Sequence, residues 1–327
     1  MLYELALTPE LFDKSNIEEN ELDYILLIGV LREAEANGII ANLDNNKWIG
    51  DVVNRIYVLS PKIKDEIIRR LNRLKDRKRI ATYPSNEIDP TNDLEWLQHA
   101  LKVHELTPFY SVISSLFDTE NKEDPSLINL KKIMFSDTWN ERRNSTQIKQ
   151  SPEEYTKHLR PVMRHARKLQ LIDPYMSPLE SRYLKTLEIC IRLLEKKAVI
   201  IHIHCKIPFQ FEQGIRNNRV RARKYLDKWE IAIKEIIDRE TERRDRYKIF
   251  IWQPRRQSHR FHDRFIITDQ CGVGIQGGLD TYDFETMTNW NLITYEETET
   301  ILNQFKEESS PYDLLGYRTI EYKNILN

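Results

Sequence analysis

Hydrophobic and polar positions along the chain change rhythm about halfway. In the first part, Ile63, Ile67, Leu71 and Leu74 repeat at helical spacing, with Arg69, Arg70 and Arg73 expected on the opposite face. Ser60-Pro61 just ahead of them reads as a helix start, because Ser can cap free N–H groups and Pro lacks one. Residues 19–37 read as another helix, stopped at Gly38, and 93–103 and 108–117 as shorter ones. The polar stretches 118–125 and 140–152 read as loops, and a domain boundary in the latter divides the chain into a mainly helical 1–150 and a second domain, 151–327. In that second domain 168–175 reads as a short strand ending in Asp173-Pro174-Tyr175. A helix over 179–196 follows, then a β-branched run at 198–205. A long charged helix over 220–247 carries Tyr225, Trp229, Ile233, Ile236 and Ile237 on its apolar stripe, and strand-like runs follow at 248–252, 262–268 and 272–276. Strand, helix, strand, helix, then clustered strands predicts an α/β domain with a sheet sandwiched by helices.

Composition narrows the class. Hydrophobic residues make up 40% of 327 residues and aromatics 10%, enough for ordinary cores, while 31% are charged. With a mean hydropathy of −0.60, this describes a soluble chain with a heavily charged surface. No apolar run approaches the ~20 residues of a spanning helix. The opening Met1-Leu2-Tyr3-Glu4 lacks the basic and apolar segments of a signal peptide. Cys190, Cys205 and Cys271 are odd in number and far apart, so a reducing cytoplasm is the expected location.

The chemistry concentrates near the end. His262, Arg264 and Asp269 stand at i, i+2 and i+7, and Gly277-Gly278 follow at i+15 and i+16. On a strand, an i, i+2 pair projects from one face about 7 Å apart along the backbone. A guanidinium there can hold phosphate oxygens while an imidazole attacks phosphorus. Asp269 has the opposite parity and is placed to fix a turn or a neighbour. Four of the nine glycines (Gly272, Gly274, Gly277, Gly278) follow the motif, and the Gly pair would let backbone approach a phosphate closely.

His262-Asp263-Arg264-Phe265-Ile266-Ile267-Thr268-Asp269, followed by Gly277-Gly278-Leu279-Asp280, resembles the HxKxxxxD…GG/S-x-N signature of the phospholipase D superfamily. Leu171-Ile172-Asp173-Pro174-Tyr175 is similar to the first strand of bacterial single-motif members. The likeness spans about a third of the chain, roughly 167–283. It implies a phospholipase D-like α/β fold and a metal-independent phosphodiester hydrolase without cofactor. By position His262 would be the nucleophile that forms a phosphohistidine, Arg264 the phosphate-binding cation, and Asp280 the counterpart of the Asn. Asp173 and Tyr175 would be supporting residues. Arg replaces Lys at 264 and Asp replaces Asn at 280. Only one motif copy is present, whereas the chemistry needs one histidine to attack and another to protonate the leaving group. In the family, single-copy members obtain the second by forming a homodimer. The region 1–150 matches no named fold, loosely resembles proteins encoded beside bacterial anti-phage systems, and is a candidate surface for a partner protein.

Other readings compete. His262 could be a hydrogen-bonded strand histidine, and Asp173-Pro174 a plain strand-ending turn. His202 and His204 share a strand face with Cys205 near, but a metal site there lacks a third well-spaced ligand. The net charge of −1 hides a local excess: residues 216–264 hold 16 Lys+Arg against 8 Asp+Glu, or +8. A mixed-sign helix is often only solvated. That does not account for Arg216, Arg219, Arg221, Arg223 and Lys224, or for Arg255, Arg256 and Arg260 immediately before His262. Clustered there, they favour DNA or RNA as partner over lipid, since no apolar anchor accompanies them. The expectation is a nuclease; a catalytically silent module binding phosphate groups is the alternative, and a phospholipase comes third.

Overall fold

The computed structural model describes residues 2–85, 89–117, 124–240, 243–255, 261–281 and 286–321. They fall into two compact units, Leu2–Asn144 and Ser145–Asn327.

The first unit is α/β rather than mainly helical. Strands β1 (Tyr3–Leu7), β2 (Gly38–Asn42), β3 (Ile80–Thr82), β4 (Ser111–Ser114) and β5 (Leu127–Asn129) form a parallel sheet in the order β3-β2-β1-β4-β5. Parallel neighbours need crossovers, supplied by the helices Glu21–Asn37, Lys47–Tyr57, Pro61–Asp76 and Asp93–Leu106. The sheet escapes sequence periodicity because its strands are short and buried on both faces; β1, β2 and β4 bury every residue. The 108–117 expectation is corrected for that reason: Val112 and Ile113 form the middle of β4, not a helix. Residues 118–123 of the expected loop lie outside the described residues.

The helix Pro61–Asp76 begins at Pro61 as expected, but the Ser60 side chain makes no capping hydrogen bond. Ile67, Leu71 and Leu74 are buried, and so is Arg70, which pairs with Glu35 (2.9 Å) and Glu66 (2.5 Å) instead of facing solvent. Glu21–Asn37 is capped by Asn20 and ends at Gly38, where an added Cβ would lie 2.9 Å from the Ala34 backbone. Close approach, not a left-handed φ, requires that glycine.

The second unit carries an eight-stranded mixed sheet built from β6 (Ser145–Lys149), β7 (Lys168–Ile172), β8 (Ile200–Cys205), β9 (Arg246–Pro254), β10 (Phe265–Thr268), β11 (Gly272–Ile275), β12 (Met287–Ile293) and β13 (Tyr312–Glu321). The order is β13-β9-β8-β7-β10-β11-β12-β6, with β7, β8 and β9 parallel and the other pairs antiparallel. Helices Ser181–Leu193 and Asn218–Arg239 are the crossovers of the parallel part. Tyr225, Trp229, Ile233, Ile236 and Ile237 are buried, as their stripe requires, and their helix packs on β9 and β13. It stops at Arg239, because Tyr247 belongs to β9. The polar stretch placed at the boundary contains β6, an edge strand with only Ile148 buried, so its exposed face imitates a loop. The strand expected to begin at His262 begins at Phe265; His262 and Arg264 precede it. No helix of the described residues is long and apolar enough to cross a membrane.

Candidate functional site

The register of the second sheet brings four chain segments to one place. In the pairings Phe265↔Ile172, Phe265↔Gly274 and Ile172↔His204, the start of β10 lies beside the ends of β7, β11 and β8. His262-Asp263-Arg264 lead into β10, Asp173-Pro174-Tyr175 leave β7, Gln276 to Asp280 leave β11, and Lys206 leaves β8. A cavity of about 970 Å³ opens there, lined among others by Tyr175, Lys206, Arg264, Gly277, Gly278 and Asp280.

Asp173 is the hub. Its carboxylate is wholly buried; Oδ1 accepts the Tyr175 N–H (2.8 Å) and Oδ2 the Leu279 N–H (2.9 Å). One side chain therefore ties the segment after β7 to the glycine loop after β11. Burial pushes its pKa up, against the pull of those two N–H groups and of the Arg264 guanidinium, whose Nε lies 3.8 Å away.

Arg264 donates Nη1–H to the Gln276 carbonyl (3.2 Å), and its Nε is buried without a hydrogen bond. Its guanidinium carbon sits 5.2 Å from the centre of the Tyr175 ring. Most of the planar fork is left to take an anion in the cavity. The Tyr175 hydroxyl hydrogen-bonds His262 Nδ1 at 3.1 Å. A nucleophilic Nε2 lone pair needs the tautomer in which Nδ1–H donates to that hydroxyl oxygen. Phe261, buried against Phe305 and Tyr312, anchors the chain one residue ahead of His262. His262 is exposed and is not among the cavity's lining residues, which it meets through Tyr175.

The glycine pair is a packing requirement. A Cβ on Gly277 would come 2.7 Å from Thr288 Oγ1, and one on Gly278 2.0 Å from Asp280 Oδ1. Neither glycine has a positive φ. Asp280 is 4% exposed and pairs with Arg182 (Nη1 to Oδ2, 2.9 Å), so Arg182 is the nearby cation that offsets the added charge at this position. Burial raises the Asp280 carboxyl, with Arg182 and Arg264 pulling it down.

Lys206 escaped the sequence reading. His204-Cys205-Lys206 begins like a second motif, but position 211 is Phe. Folding separates the two: His204 turns into the core and Lys206 reaches the cavity. Its Nζ–H donates to the Phe261 carbonyl (3.1 Å) and stands 5.0 Å from the Tyr175 ring centre. Burial lowers its pKa, Asp173 raises it and Arg264 lowers it further. Its signal in sequence was an HxK fragment at a strand end.

Other candidates lie elsewhere. Asp269 sits at the far end of β10, where Oδ1 accepts the N–H groups of Arg167 (2.9 Å) and Lys168 (3.3 Å) and fixes the start of β7. Arg255 is ion-paired with Asp313 (2.9 Å), while Arg256 and Arg260 lie outside the described residues. Arg216, Arg219 and Arg223 are exposed, and Lys224 pairs with Glu212. Arg221 lines the cavity. His204 accepts the Trp252 indole N–H (3.0 Å) and stacks on Phe250, and burial holds it well below the usual imidazole range. His202 is lowered to about 4 by burial, then by Lys248 and Lys168. Among the described residues no cluster of three or more His, Cys, Asp or Glu is placed to hold a metal ion.

Comparison with known proteins adds little. No family model and no curated protein matches the chain. One solved structure similar over 78% of this chain and 84% of its own is TrmBL2, described as an archaeal chromatin protein with a novel mode of DNA binding, at 14% identity and a TM-score of 0.26, a likeness that carries no argument here.

Proposed function

We propose that the Ser145–Asn327 unit is a phospholipase D-like, metal-independent phosphodiesterase acting on nucleic acid in the cytoplasm. The observation that carries this reading is the Asp173-centred convergence, which puts an open Arg264 fork and the Tyr175–His262 pair at one cavity. In this mechanism His262 Nε2 attacks phosphorus and the bond to the leaving oxygen breaks. Arg264 and Lys206 hold the non-bridging oxygens throughout. The leaving oxygen takes a proton from the His262 of a second copy, brought opposite by a two-fold axis. Water, giving its proton to that second histidine, then attacks phosphorus, the P–N bond breaks, and the phosphate leaves as a monoester with both imidazoles back in their starting states.

The second reading is a phosphate-binding module without turnover. It is favoured by the position of His262 outside the lining and by the Asp280–Arg182 pair inside it. Pure protein is incubated with labelled DNA, RNA and phospholipid, with and without EDTA, beside His262→Ala. We expect cleavage of nucleic acid that survives EDTA and vanishes in the variant while affinity is retained. Binding without cleavage leaves the silent module, and normal cleavage by the variant places the nucleophile elsewhere.

A further inference from the structure

We infer that the cavity takes an unpaired nucleobase beside the scissile phosphate, so that single-stranded nucleic acid is the preferred substrate; this rests on the nucleic-acid reading above.

The cavity, at about 970 Å³, matches the upper range of pockets for whole small molecules, about 300–1,000 Å³, so Arg264 and Lys206 with a phosphate occupy only part of it. The wall contributed by the loop after β8 is apolar: Ile207, Pro208 and Phe209 line it. Phe209 is 80% exposed, and its backbone is held rather than loose. The Arg221 guanidinium donates to the carbonyls of Pro208 (3.3 Å), Phe209 (3.2 Å) and Phe211 (2.7 and 3.0 Å). A cation committed to clamping this loop keeps a large aromatic ring in water at the mouth of a charged cavity. Displaying Phe in that way forgoes the gain of burying it. A flat aromatic partner arriving with the substrate restores that gain.

A nucleobase fits because it is aromatic and attached to the phosphodiester that Arg264 and Lys206 would hold. Tyr175, 42% exposed, offers a second ring between those cations. Gln150, Glu180 and Asp280 keep the rest of the lining polar, the two carboxylates being engaged by Arg182. An acyl chain would meet these polar groups instead of an apolar channel. In a duplex each base is paired at its edge and stacked on both faces, so only an unpaired or extruded base can reach Phe209. Stacking on an aromatic side chain is insensitive to sequence, which predicts a preference for strandedness over base identity.

Fluorescence anisotropy on the non-cleaving His262→Ala protein tests this with labelled single-stranded DNA, the matching duplex, and a single strand carrying abasic sites. Base–aromatic stacking lost on alanine substitution weakens binding by about 5- to 150-fold. We expect the intact single strand to bind about tenfold or more tighter than the duplex or the abasic strand. Phe209→Ala should remove that preference and leave duplex affinity unchanged, and Phe209→Trp should keep it. Phe209 is solvent-exposed, so its loss does not threaten folding. Equal binding of single strand and duplex, or an alanine variant that still prefers the single strand, overturns the inference while the nuclease reading stands. Binding of anionic phospholipid vesicles with none to either nucleic acid overturns both.

Discussion

Replacing Asp173 by Asn removes one charge and changes almost no volume, so it isolates what the hub carboxylate does. The two oxygens receive N–H groups from Tyr175 at 2.8 Å and Leu279 at 2.9 Å. Asn has one oxygen and one NH₂, so in either rotamer a backbone N–H faces a donor. A hydrogen bond to a charged acceptor contributes about 1.5–3 kcal/mol, and leaving a buried donor unmet costs about 1–3 kcal/mol. Two effects oppose this. Burial already raises the Asp173 pKa, so losing the charge relieves part of a desolvation penalty. Arg264, 3.8 Å away, loses a partner too distant for a hydrogen bond. The net expectation is a loss of about 1–3 kcal/mol, which for a unit of this size lowers the melting temperature by about 2–4 °C per kcal/mol. The functional loss should exceed the stability loss, because Tyr175, Leu279 and Arg264 all depend on the same carboxylate. We expect cleavage, or phosphate affinity in the silent-module case, to fall by more than about tenfold at temperatures where the variant is fully folded. Thermal unfolding by circular dichroism, with activity measured well below the transition, checks both. A variant that melts within about 1 °C of the parent and keeps its activity refutes the hub assignment.

Two further predictions come from neighbouring groups. Arg264→Lys keeps the charge but loses the fork, and should retain measurable activity, whereas Arg264→Ala should lose phosphate affinity strongly; binding of inorganic phosphate followed by titration separates them, and a Lys variant as weak as Ala means that the planar fork itself is required. Burial lowers His204 and His202 in the folded state, so below about pH 6.5 the unfolded chain takes up protons that the folded chain refuses; stability is full above that pH and is lost as pH falls, approaching about 1.4 kcal/mol per pH unit for a fully buried group. Urea midpoints from neutral pH to about pH 5 should therefore decline less steeply in His204→Gln, and an identical slope would mean that His204 titrates normally in the fold.

What the sequence conveyed depended on how each segment meets water. The Asn218–Arg239 helix was legible because one stripe is buried and the other face is charged, the condition in which a 3.6-residue period is visible. The first unit's sheet was not, because Tyr3–Leu7 and Ser111–Ser114 are buried all round and too short for periodicity to distinguish strand from helix. β6 fails in the opposite sense, being so exposed that it reads as a loop. At the site, spacing singled out Arg264, the glycine pair and the Asp173–Tyr175 turn, all of which line or frame the cavity. Its opposite parity set Asp269 apart from them, and seven residues along the strand do carry it to the other end of the sheet, where it fixes the start of β7. Lys206 and Arg182 come from elements remote in sequence, and only the register of β7, β8 and β10 brings Lys206 in.

The cavity's charges also explain how it can attract an anion without a large positive field. Arg182, Lys206 and Arg264 project into it against Glu180 and Asp280, with Asp173 just beneath. The acids are largely occupied: Asp173 by two backbone N–H groups, Asp280 and Glu180 by Arg182. The cations are less so, for Arg264 gives one hydrogen bond to a carbonyl and Lys206 gives one. Donors are therefore available while acceptors are spent, and that asymmetry selects anions more sharply than net charge does. The lowered pKa of Lys206 comes first from burying part of its ammonium, a shift that Asp173 opposes and the repulsion of Arg264 adds to. A phosphate placed between the two would relieve that repulsion and return Lys206 toward its ordinary value. Anion binding and Lys206 protonation are then linked, so phosphate affinity should weaken as rising pH removes the lysine's proton.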